Sequence, residues 1–179
     1  MADQPLSGLV VAIPEAEPAV GALRARLDAH AALGVPAHVT ALFPFAPPER
    51  IDQAVLARIA RVAAAVDRFE YALCRTGWFD DRVLWLAPDD PAPFRDLTLR
   101  LAAAFPAHQP YEGAHDDVVP HLTIGHGHPP EVLAAAERSV QPQLPVTGTA
   151  QELVLLAQRE PGGPWYRRAG FRLGPLPYA

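Results

Sequence analysis

The chain contains no lysine: all 15 of its basic residues are arginine. That excludes a lysyl-nucleotide intermediate and a Schiff base, both of which need an amine nucleophile. It also excludes a P-loop, whose motif requires Lys beside the phosphates. Cysteine is almost as scarce. Cys74 is the single one, so the chain forms no internal disulfide and no cysteine-rich metal centre. Its surroundings, Tyr71-Ala72-Leu73 and Arg75-Thr76, read as a strand, where the expectation is a buried, inert thiol. No apolar run reaches the ~20 residues of a membrane-spanning helix. The segment Met1-Ala2-Asp3-Gln4-Pro5 has neither the basic nor the apolar region of a secretory signal. A soluble, cytoplasmic protein with no membrane partner is expected. A net charge of −5 and a pI near 5.8 argue against indiscriminate coating of nucleic acid, which needs many phosphate-neutralising cations. A local basic cleft stays open.

What is present begins with enough apolar material for a core, 50% of 179 residues. The length suits one domain over residues 1–179, or one domain made of two similar lobes, for which a boundary is expected near 75–92. Leu9 to Ile13 is a short apolar run closed by Pro14 and reads as a strand. Val20, Leu23 and Leu27 mark one helix face. Ile51, Val55, Ile59, Val62 and Val66 mark another, opened by Pro47-Pro48. Phe69–Arg75 and Arg82–Leu86 predict a hairpin turning around Gly77 and Asp80-Asp81. Helices are expected over Pro91–Phe105 and Glu131–Val140, and closing strands over Val146–Thr149, Glu152–Gln158 and Trp165–Leu173. Strands and helices without regular alternation predict an α+β fold with mainly antiparallel sheets.

Two segments repeat one pattern, one in each half of the chain: His38-Val39-Thr40-Ala41 and His121-Leu122-Thr123-Ile124. In a strand, residues i and i+2 share a face. Each segment therefore sets an imidazole beside a hydroxyl. Brought together, they supply what opening a cyclic phosphodiester needs. Attacking water must lose a proton while the departing oxygen gains one, and two imidazoles near their ordinary pKa of about 6.5 suit both tasks. Hydroxyl donors stabilise the charge on the phosphoryl oxygens. Such a scheme uses no metal and no cofactor. A competing metal site would draw on His121, His126 and His128, with His115 and Asp116 upstream. On a continuous strand, however, His121 and His126 point to opposite faces. His30 and His108 have no motif around them and read as surface residues.

These residues resemble the 2H phosphoesterase superfamily, and within it the 2′-5′ RNA ligase-like or cyclic phosphodiesterase branch, defined by two His-x-Thr/Ser-x motifs. The resemblance is concentrated in the motifs and is compatible with residues 6–176. It implies a bilobal α+β fold with two antiparallel sheets, related by a pseudo-twofold axis, around a cleft and with helices outside. It implies metal-independent chemistry in which His38 and His121 exchange protons while Thr40 and Thr123 hold the phosphate. Phe43 matches an aromatic often found five residues after the first histidine. After the second histidine, many relatives carry Arg at the corresponding position, where this chain has His126. That implies either weaker binding of a terminal phosphate or a shift of the contact to another arginine, such as Arg75, Arg167 or Arg168. Aromatic candidates for a base platform are Phe43, Trp78, Phe79, Trp165 and Tyr166, with Trp165-Tyr166-Arg167-Arg168 combining aromatic and guanidinium groups.

The expected function is a phosphoesterase acting on RNA 2′,3′-cyclic phosphate ends or small cyclic nucleotides, with reversible 2′-5′ RNA ligation as a related activity. The alternative is a non-catalytic RNA- or nucleotide-binding module of the same fold. No obligate protein partner is evident, and a monomer is the default.

Overall fold

The computed structural model describes residues 4–109 and 118–174. Among these residues, eight strands and five helices follow in chain order: β1 (Ser7–Ala12), α1 (Glu17–Leu27), α2 (Ala29–Ala32), β2 (His38–Leu42), α3 (Gln53–Ala64), β3 (Phe69–Phe79), β4 (Val83–Pro88), α4 (Ala92–Ala104), β5 (Leu122–His126), α5 (Pro130–Val140), β6 (Val146–Ala150), β7 (Glu152–Gln158) and β8 (Trp165–Arg172). Their starts follow local chemistry. Pro18 sits in the first turn of α1, where a missing N–H costs nothing. Asp52 caps α3 by accepting from Val55 N at 2.9 Å. That cap starts the helix at Gln53, later than Pro47-Pro48 suggests, and Pro48–Arg50 instead forms a single 3₁₀ turn.

The strands form two four-stranded sheets, ordered β2-β1-β7-β8 and β5-β4-β3-β6. Every pairing is antiparallel. The sheets correspond strand for strand, with a motif strand at one edge of each. The chain crosses to the second sheet between β2 and β3 and returns between β6 and β7. Residues 75–92 therefore lie within the second sheet and its following helix, not between two sheets. The first sheet is built from both ends of the chain because β1 takes β7 as its second neighbour.

The hairpin differs from the sequence expectation at its turn. β3 runs through Gly77 to Phe79. The chain reverses at Asp80 and Asp81, both at positive φ (47° and 54°), a conformation that Asp tolerates better than most residues. Gly77 stays in the strand opposite Trp85, whose ring lies where a Cβ would project. The pairing register slips at Cys74, leaving it opposite no partner, and its thiol is exposed rather than buried.

Packing crosses between the halves. Helix α1 lies on β5, and helix α4 lies on β2, so each motif strand is backed by the helix that precedes the other motif. The apolar motif positions enter this shared core: Val39 is 1% exposed, and Leu122 and Ile124 are fully buried. Burying a side chain of that size contributes ~1.5–3 kcal/mol. Motif spacing thus fixes the strands in the core through one face and leaves His and Thr on the other. No helix among the described residues is long and apolar enough to cross a membrane.

Candidate active site

Each motif strand contains a bulge, and both bulges fall on the fourth motif residue. In the first sheet Val10 opposes Thr40 and Leu9 opposes Leu42, leaving Ala41 extra. In the second, Trp85 opposes Thr123 and Leu84 opposes Gly125, leaving Ile124 extra. An extra residue exchanges the faces of everything beyond it. Strict alternation would aim positions 42 and 125 at the cleft. With the bulges, the cleft instead receives Phe43 and His126, each five residues after its histidine. This corrects the expectation that His121 and His126 face opposite ways.

The two imidazoles are anchored alike. His38 Nδ1 donates to the Pro36 carbonyl at 2.8 Å, and His121 Nδ1 donates to the Val119 carbonyl at 2.7 Å. A carbonyl only accepts, so each Nδ1 carries a proton and each Nε2 is left to exchange one. Burial pushes the His38 imidazole down to about 4, against a partly compensating bond to Pro36. Burial also lowers His121. Both rings are therefore neutral near pH 7.

Their supports differ. The loop before His38 is tied by Ala37 N donating to Glu17 at 2.8 Å and by Ile13 N donating to the Ala37 carbonyl at 2.8 Å. Arg24, only 2% exposed, donates to Asp28 at 2.8 Å and to the Val35 carbonyl at 3.3 Å. Burial alone would raise the Asp28 carboxyl, but bonds from His30 and Arg24 and the Arg24 charge hold it down to about 2. The same bond to Asp28 raises His30. In the other sheet, the His121 ring stands perpendicular to Phe79 at 5.0 Å between ring centres and tilted to Trp85 at 5.9 Å. Sequence reasoning did not find Asp28, Asp80 or Trp85 as parts of the site. The i, i+4 spacing of Arg24 and Asp28 was the one available signal.

The sheets enclose a cavity of about 660 Å³ whose lining includes His38, Thr40, His121 and Thr123. The structure thus brings both motifs to one cavity. Phe43, His126 and Trp165 join them, as do Trp78 and Phe79. Phe43 lies 6.1 Å from Trp165 between ring centres. Its ring also lies 3.0 Å from where a Cβ on Gly8 would stand. Tyr166 and Arg167 do not line the cavity. Tyr166 is covered by the Arg159 guanidinium at 4.7 Å, and Arg167 pairs with Glu152. Arg168 donates to the Pro48 and Ile51 carbonyls, and Arg75 also lies outside the lining. None of these three arginines replaces a phosphate contact. His30 is 63% exposed at the cavity rim, while His108 packs near Phe45. Among the described residues no three His, Cys, Asp or Glu side chains converge as metal ligands, and His128 is not in the cavity wall. His115 and Asp116 lie outside the described residues.

A family model described as the 2′-5′ RNA ligase superfamily matches residues 13–162. Among solved structures, the LigT protein of Escherichia coli in complex with 3′-AMP superposes with a TM-score of 0.65 at 17% identity, covering 95% of this chain and 99% of that one. TT0787 of Thermus thermophilus gives a TM-score of 0.62 at 21% identity, covering 94% and 97%. A protein described as a phosphoesterase gives 0.60 at 15% identity, covering 95% and 99%. At these identities the likeness establishes the shared fold. No curated protein sequence matches the chain.

Proposed function

The chain belongs to the 2′-5′ RNA ligase superfamily, and on that premise we propose that it hydrolyses 2′,3′-cyclic phosphate or related cyclic or 2′-5′ phosphodiester bonds without a metal. Its function is of the 2H phosphoesterase and 2′-5′ RNA ligase-like kind. The finer reading rests on one observation: two Nδ1-anchored imidazoles, each with a threonine hydroxyl two residues on, line one cavity from opposite sheets.

In that reading the diester anion enters a cleft whose imidazoles are neutral, and its charge draws a proton onto one of them. The other imidazole takes a proton from water through Nε2 as the water oxygen bonds to phosphorus. The protonated ring passes its proton to the departing ribose oxygen as the opposite P–O bond breaks. One ring ends protonated and the other neutral, so a proton exchange with solvent resets the pair. Thr40 and Thr123 donate to the phosphoryl oxygens, where negative charge builds. With a 5′-hydroxyl in place of water as the attacking group and the 3′-oxygen leaving, the same groups support 2′-5′ ligation. E. coli LigT has been crystallised with 3′-AMP, NADP+ and ATP, consistent with an RNA end or small nucleotide as the ligand here.

The test is hydrolysis of the four nucleoside 2′,3′-cyclic monophosphates in EDTA, with His38→Ala and His121→Ala alongside. Turnover in EDTA that falls by at least about 10²-fold in each variant is expected. A strict metal requirement, or near-normal turnover in both variants, would overturn the proposal. Binding without turnover would instead assign the chain to the non-catalytic module.

A further inference from the structure

With no lysine in the chain, every side-chain cation is an arginine or a protonated histidine. All 15 arginines lie among the described residues. None of them lines the cavity. Arg24, whose charge reaches His38, is buried and already paired with Asp28 at 2.8 Å. The opposite sign is present. Asp80 lines the cavity, and no cation pairs with it among the described residues. It sits in the β3–β4 turn, three residues before Val83, whose partner across the sheet is His126. The bulge at Ile124 therefore delivers a histidine to the same end of the cavity that carries a free carboxylate.

We propose that this cleft selects a ligand carrying a single phosphodiester charge and rejects one that brings an additional phosphate dianion into the cavity, with His126 and Asp80 setting the preference. The inference rests on the reading of the site as a phosphodiester cleft. One diester charge is met by one protonated imidazole and two hydroxyls. A further phosphate adds about −1.5 to −2 and is best held by a guanidinium fork, which the cavity lacks. It would also face Asp80. The rest of the ligand meets Phe43 and Trp165 in one wall and Trp78 and Phe79 in the other, surfaces suited to a base. The substrate class is thus a nucleoside 2′,3′-cyclic phosphate, or a chain end of that kind, without a 5′-phosphate in the cleft.

Two inert ligands test this: the 3′-(methyl phosphate) diester of 2′-deoxycytidine, with and without a 5′-phosphate. Their binding is followed by tryptophan fluorescence in mildly alkaline buffer. The 5′-phosphate is expected to weaken Kd by about tenfold or more, the scale of one unscreened like-charge contact. His126→Arg should remove most of that penalty, and Asp80→Asn part of it. Asn tolerates the positive φ of that turn, so the second variant keeps the fold. Equal binding of the two ligands, tighter binding of the 5′-phosphorylated one, no binding of either, or a penalty untouched by both variants would overturn the inference. Turnover of cyclic monophosphates measured in parallel separates the two claims. Turnover without discrimination sinks this inference alone, and discrimination without turnover sinks the proposed reaction alone.

Discussion

The two motif strands are alike where, in the proposed reading, they face a phosphate, and unlike where they would face the rest of a ligand. Both hold Nδ1 against a carbonyl two residues back, both carry Thr on the cleft face, and both bulge at the fourth position. Beyond the bulge they diverge, to Phe43 in one sheet and His126 in the other. Behind the rings they diverge again. A buried ion pair and a tied loop stand behind His38, and two aromatic rings, Phe79 and Trp85, flank His121. A pair of matched proton carriers suits a reaction that has an entering and a leaving oxygen. The unmatched surroundings suit a substrate that is different on its two sides.

The largest expected break in this symmetry comes from the threonines. Thr40→Val and Thr123→Val should each lower kcat by about 10²-fold, the scale of one lost oxyanion donor, with little change in KM. Steady-state kinetics on a cyclic nucleotide checks this, and a large loss in only one strand would show that one hydroxyl alone holds the phosphate. Next comes the support that only one sheet has. Arg24→Met leaves the buried Asp28 carboxylate with only its bonds from His30 and should destabilise the fold by about 3 kcal/mol in urea titration. A cost near zero would show that the pair does not hold the loop before His38.

Smaller effects follow from protonation. Binding an inert phosphodiester near pH 7 should take up close to one proton, because burial keeps His38 and His121 unprotonated. Calorimetry in buffers of different ionisation enthalpy reads this directly, and no net uptake would contradict the neutral pair. A second effect of protonation is on acid stability. The unfolded chain protonates His38 near the ordinary 6.5, whereas the folded chain does so only at about 4. Protonation therefore favours the unfolded state as pH falls through that window. His38→Ala should flatten the loss of stability between those values, measured by unfolding at successive pH.

The four motif side chains were legible in the sequence because alternation on a strand is local: His and Thr two apart share a face whatever the fold. The bulges were not, because an extra residue shows itself only against a partner strand. Strict alternation consequently misplaced His126. Tyr166 and Arg167 were drawn into the candidate site by composition, but a charge run does not reveal that Arg159 covers one and Glu152 neutralises the other. The turn at Asp80-Asp81 was visible. Gly77 drew the turn toward it, although its reason is a close approach by Trp85 from the paired strand. Cys74 failed for the same cause as His126, a register slip that no local pattern carries.

The central claim is that His38 and His121 act as one unit on one phosphate. The most direct measurement is kcat for His38→Ala, for His121→Ala and for the double variant, on one nucleoside 2′,3′-cyclic monophosphate in EDTA. Groups that act as a unit lose nearly everything at the first removal, so the double variant should be about as slow as either single one. Losses that multiply in the double variant, or a single variant that keeps near-normal turnover, would contradict it.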